Sequence, residues 1–173
     1  LNKPKIEIPP HLKSISTEDK YQRILHSFGQ SQPDSIRTFQ SDFNHAPDLV
    51  SYPENENDLI TLYEFCEKLN VALIPYGAGS SVVGGVTSNV SSKYNGTISV
   101  NLSKFNKVLE VDDVSLSAKI QGGIRGPDLE TSLKNYGLTL RHFPQSFEHS
   151  TLGGWIATRS GGHFATLTLI LMI

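Results

Sequence analysis

The sequence predicts an α+β fold with short strands in two small groups. Three observations predict it. Apolar residues recur at helical spacing over 57–70. Alternating patterns mark strands over 97–102 and 107–121. A short apolar run, 71–75, follows the helical segment and opens into a glycine-rich loop, which is the layout of an α/β unit.

The bulk properties narrow the function classes. A chain of 173 residues with a formal net charge of −2 fits one domain, or one domain with an arm. Its apolar fraction of 38% supports a core, and low net charge argues against disorder. The Lys and Arg residues are scattered, so the sequence argues against a nucleic-acid partner. Cys66 is the single cysteine, which excludes an internal disulfide. It falls on the apolar face of a helix and reads as a small core residue. No run reaches the roughly 18 apolar residues of a membrane span. Leu1–Lys5 lacks the apolar core of a signal peptide. The six histidines, His11, His26, His45, His142, His149 and His163, show no metal-ligand spacing, so no metal is expected. The sequons at Asn89, Asn95 and Asn101 read as chance occurrences in an Asn/Ser-rich stretch.

Residues 1–45 read as an arm with Pro4, Pro9, Pro10 and Pro33. Its one helical patch, Thr17 to Phe28, puts Tyr21, Ile24, Leu25 and Phe28 on one face. Such an arm packs on a neighbouring domain without needing to carry chemistry. The domain proper is expected over 46–173. Asp48–Tyr52 is a strand closed by Pro53. The helix over 57–70 follows, with Leu59, Leu62, Tyr63, Cys66 and Leu69 inward. Glu56 and Asp58 suit the dipole at its N-terminus. Val71–Pro75 is a buried strand, and Ile98, Val100 and Leu102 share one face of the next. Lys107–Gln121 is a hairpin with Asp112–Asp113 at the turn. Its second arm carries Leu116, Ala118 and Ile120. Gly126–Pro127 starts a helix with Leu129, Leu133 and Tyr136 buried and Gly137 as its cap. Leu138–Leu140 reads as a short strand.

Two segments carry chemistry. The first is Pro75-Tyr76-Gly77-Ala78-Gly79-Ser80-Ser81. Its glycines let successive N–H groups converge on an anion such as a diphosphate, and the serines add donors. No Gly-Lys-Ser/Thr follows, and the third glycine of the dinucleotide fingerprint is missing. The competing reading is an ordinary glycine turn.

The second segment is Pro144-Gln145-Ser146-Phe147-Glu148-His149-Ser150-Thr151-Leu152-Gly153-Gly154-Trp155, continuing through Thr158-Arg159-Ser160-Gly161-Gly162. Ser150 and Thr151 suit the cap of a short helix whose free N–H groups would face an anion. Gly153 and Gly154 allow close backbone approach. The competing reading is a structural loop around a core Trp155. Arg159 suits phosphate or carboxylate neutralisation, or a surface ion pair. Asp48 and Glu148 have no spacing that makes them an acid/base pair. Two such segments suggest one extended polar ligand, and a dinucleotide has that length.

Together these segments resemble the PCMH-type FAD-binding domain of the vanillyl-alcohol oxidase / p-cresol methylhydroxylase superfamily. Within it, the similarity is to the alkyldihydroxyacetonephosphate synthase family and bacterial FAD-linked oxidases. It rests on Ala46–Val50 with Tyr52-Pro53, on Pro75–Ser81, on Gly122–Gly126 with Asp128–Glu130, and on His142–Gly162. The resemblance implies two small α+β subdomains with FAD between them, held noncovalently. It implies that Pro75–Ser81 wraps the diphosphate. Gln145–Thr151 and Thr158–Gly161 would line the flavin and its phosphate–ribitol chain, with Glu148 as a structural or flavin-adjacent acceptor. His142 and His163 would be lining or surface residues.

Ala78 replaces a frequent family glycine. His149 stands where the family usually has an aromatic, so no catalytic role is assigned to it. After the stretch 162–167 the sequence leaves the family pattern and ends in Thr168–Ile173, so it is expected to be a truncated chain or fragment without a substrate domain, not active alone.

A full-length member would exchange the acyl group of acyl-dihydroxyacetone phosphate for a fatty alcohol. Two alternatives stand beside this: an FAD-linked dehydrogenase or oxidase of 2-hydroxy acids such as lactate or glycolate, and a noncatalytic binding fragment. Partners are then FAD, a small or lipid-like substrate in the full-length parent, and an oligomer partner if one forms. Eukaryotic members are peroxisomal and bacterial ones cytoplasmic, which leaves the compartment open.

Overall fold

A computed structural model describes residues 1–162. His163 and the tail 168–173 lie outside the described residues. The mixed α+β architecture is as the sequence predicts, in two compact units, one over Leu1–Lys104 and the other from Phe105 onward.

The first unit is built on a four-stranded sheet. Its strands are β1 (Ser16–Thr17), β2 (Leu49–Ser51), β3 (Val71–Tyr76) and β4 (Gly96–Asn101), in the order β1-β2-β4-β3. β2, β4 and β3 are parallel, with Leu49, Ile98 and Leu73 in register, and β1 is antiparallel. The helices are α1 (Lys20–Leu25), α2 (Gln32–Phe39) and α3 (Glu56–Leu69).

α3 starts where expected because the Asn55 side chain accepts the Asp58 N–H at 3.0 Å. It stops at Asn70, whose φ of 53° is a left-handed conformation that asparagine tolerates. Leu62 and Cys66 are buried against Leu49, Val71, Ile98 and Val100, joined by Ile6 and Leu12 from the N-terminal segment. Each such aliphatic side chain contributes about 1.5–3 kcal/mol by leaving water. The buried stripe is narrower than predicted, since Tyr63 and Leu69 face solvent.

The opposite face of the sheet is not a solvent face. Thr97 and Ser99 alternate with the core residues of β4, yet both are buried. α1 lies on this side and is tied to it by hydrogen bonds: Tyr52 Oη donates to Gln22 Oε1 at 2.5 Å, and His26 Nε2 meets Asn101 Nδ2 at 2.9 Å. This corrects the reading of the first helical patch. Its buried residues are Arg23, His26, Ser27 and Phe28, whereas Tyr21 and Leu25 are exposed. The Arg23 guanidinium donates to the Pro47 and Asn2 carbonyls, which lets an arginine replace an apolar anchor. α2 follows immediately, capped by Ser31 with Pro33 in its first turn; the sequence pattern did not reveal it.

The second unit holds the hairpin β5 (Val108–Asp112) and β6 (Ser117–Ile120), then α4 (Gly126–Lys134) and α5 (Leu152–Thr158). Leu116 belongs to the turn instead of β6, with φ 53°. The Asp112 carboxylate closes that turn by accepting the Ser115 hydroxyl and the N–H groups of Ser115 and Val114, which holds its pKa down. Ile124, Leu129, Leu133 and Trp155 form the core. Tyr136 lies past the end of α4 and is exposed. Gly137, at φ 70°, lets the chain reverse so that Leu138 N–H reaches Leu133 O. The predicted strand over Leu138–Leu140 does not form. Glu130 instead takes the N–H groups of Leu140 and Arg141 and the hydroxyl of Thr139. A carboxylate thereby supplies what a ladder would have supplied.

Candidate functional site

In the first unit, the loop Gly77–Ser81 leaves the carboxyl end of β3, beside the carboxyl end of β4. Ligands of open parallel sheets bind outside this edge. The backbone N–H groups of Ala78, Gly79, Ser80 and Ser81 find no acceptor among the described residues. A row of unpaired donors at that edge fits an anion. Gly77, Ala78 and Ser80 are partly accessible, Gly79 is buried, and Pro75 is exposed.

The two ends of the loop are anchored. Tyr76 is buried; its hydroxyl donates to Leu25 O at 3.2 Å and its ring lies 4.3 Å from that of His26. At the far end, Ser81 O accepts Gln30 N–H at 2.6 Å and Ser81 Oγ accepts Gly85 N–H at 2.9 Å. Ser81 therefore accepts from the protein on both oxygens, while its O–H proton remains a donor. The N-terminal segment is thus part of the loop's support, which the sequence pattern did not show. Asp34 adds to it. Its buried carboxylate accepts Gly29 N–H, lies 3.5 Å from Arg37 and accepts the Thr87 hydroxyl beyond the loop.

His26 is neutral in this setting. Burial pushes its pKa down, against the opposing pull of the Gln22 carbonyl. Gln22 O only accepts, so Nδ1 carries the proton, and Nε2 then accepts from Asn101. Asn101 Oδ1 accepts Ser103 N–H, which fixes its orientation. Burial likewise raises the pKa of Tyr76 and that of Tyr52.

In the second unit, Thr151 caps α5 as predicted, accepting Gly154 N–H. The helix start is nevertheless not free for an anion. Leu152 N–H donates to Ile124 O at 3.0 Å and Gly153 N–H to Gly122 O at 2.7 Å. A Cβ on Gly153 would lie 2.9 Å from that same oxygen. The close approach that glycine permits here is backbone to backbone, between Gly122 and Gly153. This corrects the expectation of free N–H groups at this helix. Trp155 is in the core as predicted, and its Nε1–H donates to Ser150 Oγ, which donates to Ser146 O, both at 2.6 Å. Phe147 stacks on Trp155.

What this segment offers outward is different: Gln145, Glu148, His149, Gly154, Thr158 and Arg159 are exposed, with Ser160 and Gly161 partly so. His142 is buried and its Nε2 is 2.7 Å from Ser160 O. Asp48 is buried and accepts from Lys5 N–H, Thr97 N–H and Thr97 Oγ1–H, a structural role. The side-chain amide of Asn95 donates to Leu69 O, and that of Asn101 meets His26. No metal-binding cluster occurs among the described residues.

Residues 47–169 match the family model described as FAD binding domain. The chain belongs to this FAD-binding family. Alkyldihydroxyacetonephosphate synthase from Dictyostelium discoideum is 42% identical over 156 residues, which is 90% of this chain and 24% of that protein. The enzyme of the same name from Trypanosoma brucei brucei is 36% identical over 83% of the chain and 24% of its own length. A solved structure of alkyldihydroxyacetonephosphate synthase superposes with a TM-score of 0.86 at 38% identity, over 96% of this chain and 33% of that one. The chain thus spans about a quarter of the length of these curated relatives. FAD is the ligand that the family implies, and the unpaired N–H row after β3 fits its diphosphate.

Proposed function

We propose that this chain is the FAD-binding part of an alkyldihydroxyacetonephosphate-synthase-like flavoenzyme and holds FAD noncovalently. The observation that carries the reading is the row of N–H groups over Ala78–Ser81 that have no acceptor among the described residues, at the carboxyl edge of a parallel sheet. In this reading these groups take the diphosphate, helped by the Ser80 hydroxyl. The exposed residues Gln145, Glu148 and His149 and the stretch Thr158–Gly161 contact the flavin end. Ser150, Thr151 and Gly153 hold the shape of that segment from within. The functional division places an arm at 1–45 and the FAD-binding domain from 46 onward, with the arm supporting the loop.

Bound FAD would supply the reactive ring system; the residues of this chain bind and orient it. In this reading the whole protein carries out the reaction that the family resemblance implies, exchange of the acyl group of acyl-dihydroxyacetone phosphate for a fatty alcohol. Ala78→Asp tests the loop directly, because it sets a carboxylate against the diphosphate and leaves Gly79 untouched. FAD affinity of the full-length protein, titrated by flavin fluorescence, should fall at least tenfold, about 1.4 kcal/mol. An unchanged affinity would remove the loop from the site. Assaying the full-length protein for alkyl exchange, and for oxidation of lactate and glycolate, separates the synthase reading from the 2-hydroxy-acid one.

A further inference from the structure

We propose that Tyr76 is a positioning residue: a strut that links α1 to the glycine loop and sets the curvature of Gly77–Ser81. The inference rests on the FAD-binding reading of that loop and extends it to the N-terminal segment.

Tyr76 is the last residue of β3, directly before the loop, and its side chain turns inward. The ring occupies the space behind Gly79; a Cβ there would stand 2.7 Å from Tyr76 Cζ. The hydroxyl is held by Leu25 O at the end of α1. The ring face is held by His26, which Gln22 O and Asn101 fix in turn. Each of these hydrogen bonds is part-buried, and none of the partners is in the loop itself.

The loop conformation depends on Gly79 at φ 72°, and that residue rests on the tyrosine. Removing the hydroxyl frees the ring to tilt and lets the loop relax. The N–H groups over Ala78–Ser81 then no longer point to one anion. Tyr76 acts on the nucleotide through the loop and makes no contact of its own.

The test uses the full-length protein, freed of FAD, with FAD and ADP as probes. Tyr76→Phe keeps the ring and removes one oxygen. Loss of a hydrogen bond that fixes the site should weaken FAD and ADP alike, by about fivefold. Tyr52→Phe is the control, because Tyr52 also tethers α1, through Gln22, but does not sit behind Gly79. A merely structural tether predicts equal effects at both positions. Weakened binding in Tyr76→Phe, with Tyr52→Phe like the parent and both folded by circular dichroism, supports the strut. Unchanged FAD and ADP affinity in Tyr76→Phe, or an equal loss in Tyr52→Phe, overturns it. Ala78→Asp separates the two levels. If it weakens FAD while Tyr76→Phe does not, the strut alone is wrong; if neither does, the loop assignment falls as well.

Discussion

Tyr76 stands directly behind Gly79, so that the ring carbon Cζ lies 2.7 Å from where a Cβ on Gly79 would be. Gly79 is therefore demanded by the protein's own interior, before any ligand is considered. Its φ of 72° adds a second demand that L side chains meet only with strain.

This gives the first prediction. Gly79→Ala should destabilise the protein by about 1–3 kcal/mol, from backbone strain plus displacement of Tyr76. Gly84 has the same φ of 72°, but its nearest neighbour would be Thr87 Oγ1 at 3.7 Å. Gly84→Ala should cost only the backbone part, about 1 kcal/mol. Urea midpoints of the two variants check this; equal losses would mean that the ring imposes nothing.

Ser150 and Trp155 supply the second prediction. Ser150→Ala removes the acceptor of a buried indole N–H. The unpaired donor should cost about 1–3 kcal/mol. Denaturant unfolding followed by Trp fluorescence measures it, since Trp155 is the chain's one tryptophan. A loss below a few tenths would show that the indole finds another partner.

The third concerns acid. Burial lowers the His26 pKa below its ordinary 6.5. The unfolded chain then binds the proton more readily than the folded one. This contribution to stability is complete above the unfolded pKa. It is lost as pH falls from about 6.5 through the lower folded value. Stability against pH, compared with His26→Gln, should show a shallower acid-side decline in the variant. Parallel curves would place the acid sensitivity elsewhere.

The fourth concerns Cys66, buried at 5% exposure with its thiol pushed up to about 11. The thiolate is the reactive form and is scarce at neutral pH. A thiol reagent at pH 8 should label the native protein slowly and the urea-unfolded protein fast. Rapid labelling of the native state would contradict the packing of α3 on the sheet.

Much of the fold was legible because it depends on local pattern. The spacing of Leu62 and Cys66, the acidic Glu56 and Asp58 at the helix start and the run Val71–Pro75 each specify their element through a neighbour a few residues away. The same holds for Pro127 at the start of α4 and Thr151 at the start of α5. The loop over 75–81 was legible for a related reason, since glycine and serine at that density have few other uses. Leu138–Leu140 was misread because its N–H partner, Glu130, is not visible as a pattern. α1 was misread because Arg23 and His26 look like surface residues until their partners Pro47 and Asn101 are found.

By itself, then, the sequence determined the α+β class, the order of most elements and the glycine-rich segment that follows β3. These follow from periodicities of two and 3.6 residues and from the backbone freedom of glycine. Tertiary structure alone decided which polar residues are buried, and which glycines serve the protein's own packing. It turned Gly153 toward Gly122 and used up the donors at the start of α5. It also placed Tyr76 between α1 and the loop. The reason is physical: burial of Arg23, His26 and Asp48 is offset by partners at Pro47, Asn101 and Thr97, which lie tens of residues away along the chain and are brought close only by the fold.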